Sequence, residues 1–275
     1  MSKKSSRKRA NAQQTREASP LTLPREDSST PQPIWPITNA PAELRQVAAI
    51  CITACVSLFL LQFVANERLF AYFYQPPRGV FDAYWVLRVE AWWVAWALIS
   101  YLLLPAVVMV LTSGRRLRDC NLGWRGFQQH YWIYIGLYAA VFPVIWFVSL
   151  SPDFYTYYPM YGQAGRSWFD LLMWEGLYAG QFIALEFFFR GFLVGGLSRY
   201  IGIFSVPVAV VPYMMIHFTK PWPEAAGSVV AGLVLGTLAW KTKSIWGGVF
   251  VHCAVAITMD LLALAHKGQL PWVHN

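Results

Sequence analysis

The sequence predicts an all-α fold: a polytopic bundle of about seven membrane-spanning helices with the N-terminus inside. Three observations carry this expectation. Apolar residues make up 56% of the 275-residue chain, and charged residues only 13%, about half the share usual in a soluble domain. Apolar runs follow one another, each long enough to cross a hydrocarbon core of ~30 Å. Lys and Arg fall mainly in alternate loops, as the positive-inside rule requires.

The elements follow in order. Residues 1–45 are polar and rich in Ser, Thr, Pro and basic side chains, and they lack the apolar content to build a core. They are read as a disordered cytoplasmic tail, and residues 46–275 as the transmembrane helical domain. The cluster Lys3, Lys4, Arg7, Lys8 and Arg9 is read as a solvated end of that tail, with contact to anionic lipid as the second reading. No nucleic-acid partner is expected, because no aromatic or motif signal accompanies the charge. No cleavable leader is expected, since the polar stretch is long and no small-residue cleavage site follows it.

Spans are expected at about 47–65, 91–111, 131–150, 168–198, 202–217, 225–240 and 245–265. Pro143 is a kink candidate in the third, and Pro207 and Pro212 interrupt the fifth. Residues 66–90 suggest an interfacial or re-entrant piece. With the N-terminus inside, the tail, the loop with Arg115, Arg116, Arg118 and Arg125, the Arg199 turn and the Lys241/Lys243 loop all fall on the cytoplasmic side. Gly191/Gly195 and Gly232/Gly236 are small-residue steps, read as close helix packing and nothing more. Cys51, Cys55, Cys120 and Cys253 show neither metal nor redox spacing.

Against this apolar background a few polar groups stand out. Glu186 and Arg190 are four apart in ALEFFFRGFLVGG and share a helix face. His217 and His252 each lie in a later apolar run. A charge at mid-bilayer costs about 2.5–3.5 kcal/mol on insertion scales, so such groups are functional candidates by default. At 1.5 Å per residue, Glu186, His217 and His252 lie roughly 18, 22 and 12 Å along their helices. They are expected to line one wet cavity, where a carboxylate and imidazoles activate water and stabilise developing charge. Arg190 is expected to neutralise Glu186. Glu224 is read equally as a helix-start carboxylate and as an alternative base, and Lys220 as its pair. Asp260, two turns beyond His252, is a supporting group. Two His and one Glu also suit zinc with an open position. The lack of HExxH and the misplaced cysteines make that the weaker option, so no metal or other cofactor is expected.

LEFFFR, YMMIH and HCAVA, together with the run GTLAWKTKSIWGGVFVH, resemble the motif helices of the CPBP family of intramembrane proteases. That family includes the CAAX-processing endopeptidases of the Rce type and bacterial Abi-type proteins. Its pattern is EExxxR, FxxxH and HxxxN, and the likeness covers about residues 120–265. The resemblance implies a glutamate-dependent endopeptidase acting on membrane-embedded or lipidated proteins, with Glu186, His217 and His252 catalytic. It implies a multi-pass protein of the cell membrane, in bacteria the inner membrane, whose partners are such substrates and the lipid bilayer. Two positions depart from the pattern. Leu185 stands where the family has its first Glu, the proposed base, and Ala256 where it has Asn. The alternative is therefore a catalytically inactive relative that binds or scaffolds a membrane partner. A proton or solute pathway is a third reading, placed last because no inverted repeat is visible.

Overall fold

The computed structural model describes residues 41–77, 81–113 and 117–272. The tail expected over 1–45 lies outside the described residues up to residue 40, as do Arg78, Arg115 and Arg116. Among the described residues the regular elements are helices, with an isolated antiparallel bridge between Leu122 and Ser244. The helices are α1 (Ala42–Phe63), α2 (Glu67–Phe73), α3 (Trp85–Ala97), α4 (Leu104–Ser113), α5 (Trp124–Ser149), α6 (Pro152–Tyr157), α7 (Trp168–Glu186), α8 (Gly196–Ile201), α9 (Ser205–Met215), α10 (Trp222–Thr242) and α11 (Trp246–His266). Two π-helical segments interrupt them. Leu98–Leu103 joins α3 to α4, and Phe187–Gly195 joins α7 to α8.

Among the described residues, six helical stretches are long and apolar enough to cross a membrane, one of them Trp168–Met215 with 48 residues. That stretch contains the fourth expected span and most of the fifth. It is not straight, because Gly202 has φ +56°, a left-handed geometry that glycine adopts without steric cost. A 3₁₀ turn at Gly202–Phe204 follows, and α9 then packs on α10 and on the π-helical segment 187–195. The chain is a multi-pass membrane protein with the expected all-α architecture, and its six candidate spans stand close to the seven expected, because the fourth and most of the fifth fall in one continuous stretch. Segment 66–90 contributes the short α2, whose first turn is capped by the Asn66 side chain accepting from Leu69 N–H at 3.0 Å.

Small residues set the close contacts. A Cβ at Gly232 would lie 2.9 Å from Val210, and one at Gly236 would lie 2.9 Å from Val206. The α9–α10 seam therefore needs both glycines bare. The loop 117–123 is stitched to the α10–α11 turn: Gly123 N–H donates to the Lys243 carbonyl at 2.9 Å, and Ile245 N–H to the Asn121 carbonyl at 2.8 Å. The same loop presses on the second π segment, where a Cβ at Gly191 would lie 2.8 Å from the Cys120 carbonyl oxygen. All nine residues of Phe187–Gly195 are buried, in a core shared with Tyr101 of the first π segment.

Candidate functional site

Glu186 is the last α-helical residue of α7, and Arg190 lies in the π turn that follows. A π turn bonds i→i+5 and leaves backbone groups for outside partners. Asn121 uses this, donating from Nδ2 to the Arg190 carbonyl at 2.8 Å. The side chains of Glu186 and Arg190 pair at 3.1 Å, at 0% and 2% exposure. His252 of α11 reaches the same carboxylate, with Nδ1 2.8 Å from Glu186 Oε1. It can do so because Gly248, one turn earlier on the same face, has no side chain. Glu186 Oε2 packs into that space and meets no hydrogen-bond partner.

Tyr213 of α9 closes the set. Its hydroxyl lies 2.9 Å from His252 Nε2, and the Arg190 guanidinium sits over its ring at 4.2 Å. Phe182 stacks on the His252 imidazole at 5.2 Å. Both ring nitrogens of His252 are therefore engaged inside the protein. Buried Glu186, Arg190 and Tyr213 and the partly buried His252 form one group that ties α7, α9 and α11 together.

His217 is placed differently. It lies just past α9, and its Nδ1 donates to the Tyr213 carbonyl at 2.7 Å. Burial pushes its pKa down to about 4, against the opposing pull of that hydrogen bond. The imidazole is then neutral near pH 7, and with Nδ1 donating, Nε2 carries the free lone pair. His217 lines a cavity of about 240 Å³ between α1, α3 and α7. Leu58, Trp93, Tyr101 and Leu185 supply apolar wall, and Gln181, His217 and Lys220 supply polar groups. Glu186 and His252 are not among its lining residues. The three groups expected around one cavity are thus divided: Glu186 and His252 meet each other, and His217 faces the cavity.

The supporting residues all have partners. Glu224 takes an ion pair from Lys220 at 2.8 Å and a short hydrogen bond from the Tyr158 hydroxyl. Burial works against the charge on Lys220, and Tyr178 and Glu224 beside it outweigh burial, holding its pKa well above the ordinary lysine value. Asp260 is fully buried and accepts from Trp174 Nε1 at 2.6 Å. Ala256 is buried in a cluster with Trp174, Tyr178 and Phe182. Among the described residues, no group of three His, Cys, Asp or Glu side chains could hold a metal ion.

Gly248 is a site residue that motif reading passes over, and Tyr213, the first residue of YMMIH, is one that it includes without giving it a role. The signal for both is the same. Each precedes a candidate histidine by four residues and so shares its helix face.

Residues 166–258 match the family model described as type II CAAX prenyl endopeptidase Rce1-like. The match takes in Leu185, Glu186, Arg190, His217, Glu224, His252 and Ala256, and it bears out the resemblance carried by the three motifs. No curated protein and no solved structure matches the chain.

Proposed function

We propose that this chain, Rce1-like over residues 166–258, receives a membrane-embedded or lipidated polypeptide in the cavity beside His217 and holds it without cleaving it. One observation carries the reading. Leu185 stands on the cavity wall at the motif position of the water-activating Glu, and among the described residues no Asp or Glu lines that cavity. The neighbouring Glu186 is no substitute. It is fully buried, held by Arg190 and His252, and backed against Gly248. Glu186 is also not among the residues that line the cavity. The distribution of Lys and Arg favours a cytoplasmic N-terminus, in a bacterial cell within the inner membrane.

A second reading is hydrolysis with His217 as the base. The free Nε2 of a neutral imidazole on the cavity wall favours it. One experiment separates the two. Purified protein is incubated with quenched-fluorescent lipidated peptides, and binding is followed in parallel by photocrosslinking. The expected result is crosslinking to cavity residues with no cleavage above a no-protein control. Cleavage by the wild type that His217→Ala abolishes would replace the first reading with the second. Cleavage that instead needs Glu186 would overturn both in favour of a glutamate-driven protease.

A further inference from the structure

Arg125, Lys241 and Lys243 are brought to one end of the bundle, where α10 stops and α5 and α11 begin. Arg125 lies in the first turn of α5, Lys241 in the last turn of α10, and Lys243 caps that helix. The backbone locks the two helix ends together. Gly123 N–H donates to the Lys243 carbonyl at 2.9 Å, and a Cβ at Gly126 would lie 2.0 Å from the Thr242 carbonyl oxygen. All three basic residues are exposed. Among the described residues, no carboxylate forms an ion pair with any of them.

Local backbone preference does not explain the three charges. Lys241 suits the C-terminal end of a helix dipole, but Arg125 sits at an N-terminal end, where a cation is disfavoured. Lys243 has φ +54°, at a cap where glycine or asparagine is usual. Two of the three cations therefore stand where the backbone favours something else, and an anion seated between them would offset that cost.

The surroundings put this charge at a membrane interface. Trp124, Thr242 and Trp246 are terminal residues of three candidate spans. The Trp124 ring is exposed and meets Trp246 edge-on at 5.5 Å, and Lys243 Nζ lies 5.3 Å from the Trp240 ring centroid. Tryptophan at the ends of spans sits at the level of lipid head groups. The face of α5 that carries Arg125 then turns apolar. Trp132, two turns on and roughly 10 Å further along the helix, is exposed. A small soluble anion would make no use of that face, whereas acyl chains would cover it.

We propose that Arg125, Lys241 and Lys243 form a head-group site for an anionic phospholipid, with the phosphate on the three cations and the acyl chains along the Trp132 face of α5. A seated phosphate joins α5 to the α10–α11 turn across the Gly123–Lys243 seam. The site shares no residue with the cavity beside His217, and it stands whether or not that cavity holds a polypeptide.

The test is native mass spectrometry of the full-length protein released from maltoside micelles, with dioleoyl-phosphatidylglycerol or dioleoyl-phosphatidylcholine added. The first phosphatidylglycerol is expected to bind about tenfold more tightly than phosphatidylcholine, as several basic side chains at one head group should give. The triple variant Arg125→Gln/Lys241→Gln/Lys243→Gly is expected to erase the preference, and Arg125→Lys to keep it. Glycine relieves the left-handed cap, so the triple variant carries no new backbone strain, and its unfolding midpoint without lipid checks that it is folded. A phosphatidylglycerol with a photoreactive acyl chain is expected to label α5 around Trp132. Replacing Lys3, Lys4, Arg7, Lys8 and Arg9 together by Gln is expected to leave the preference in place. Equal binding of the two lipids overturns the proposal. So does a preference that survives the triple variant, or one that disappears with the N-terminal replacements instead. Displacement of phosphatidylglycerol by millimolar inorganic phosphate at constant ionic strength also overturns it, because the patch would then be a site for a free anion.

Discussion

Gly248 and Glu186 are in contact such that no other residue fits at 248: a methyl group there would lie 2.1 Å from Oε2 and 2.5 Å from Cδ of the carboxylate. The glycine is a consequence of the buried acid. Gly248→Ala should therefore push the carboxylate away from His252 and cost about 1–3 kcal/mol, as overpacking does. Thermal unfolding of the detergent-purified variant measures this. An unchanged midpoint would show that the carboxylate has room to move.

The Glu186–Arg190 pair should behave as one unit. Arg190→Leu strands a buried carboxylate and should destabilise by on the order of 3–5 kcal/mol. Glu186→Gln strands the guanidinium and should cost a similar amount. The double variant Glu186→Gln/Arg190→Leu should recover part of the loss. Three unfolding curves decide it, and strict additivity of the single effects would rule out a coupled pair.

Asn121 holds the π turn open from outside. Asn121→Ala removes the donor to the Arg190 carbonyl and should cost about 1–3 kcal/mol, the penalty for an unsatisfied buried group. Hydrogen exchange should quicken across Phe187–Gly195 more than across α5. Uniform quickening along the chain would mean that the bond has only a general stabilising role.

His217 should make the protein acid-sensitive over a defined window. Burial pushes its folded pKa down to about 4, while an unfolded histidine titrates near ~6.5. Between these values the unfolded chain takes up a proton that the folded chain refuses, so stability falls as pH drops from about 6.5 to about 4. Above that window His217 contributes no slope. Glu224 and Lys220 lie nearby, so the quantity to follow is wild type minus His217→Gln. That difference should shrink as pH falls. A difference independent of pH would remove His217 as the cause.

Much of this arrangement was legible in the sequence. Long apolar runs fix where helices lie, and the four-residue spacing of Glu186 and Arg190 places them on one face. The packing role read for Gly232 and Gly236 matches their contacts with Val210 and Val206. The partition of the site was not legible. Rise per residue places Glu186, His217 and His252 at intramembrane depth but says nothing about which way each points. His252 turns to Glu186 because of the gap at Gly248, and His217 turns to the cavity because α9 ends at Met215 and its imidazole caps the last turn through the Tyr213 carbonyl. Both are tertiary facts. The π segments were equally hidden, since an apolar stretch such as FFFRGFLVG has the same composition whichever helical bonding it adopts.

The two π segments meet. Tyr101 of the first stacks on Phe188 of the second, with centroids 4.4 Å apart and planes 8° from parallel. Each inserts an extra residue into the helical count, so everything beyond it is rotated by about 100° relative to an uninterrupted α-helix. Loss of one residue between Phe187 and Gly195 would let the segment relax to α and turn Gly195 and Gly196 away from Asn121 and Ile50, the side chains that a Cβ at each would meet at 3.2 and 3.1 Å. In this stretch the number of residues is itself under constraint. A deletion would put the downstream helix out of register with the rest of the bundle.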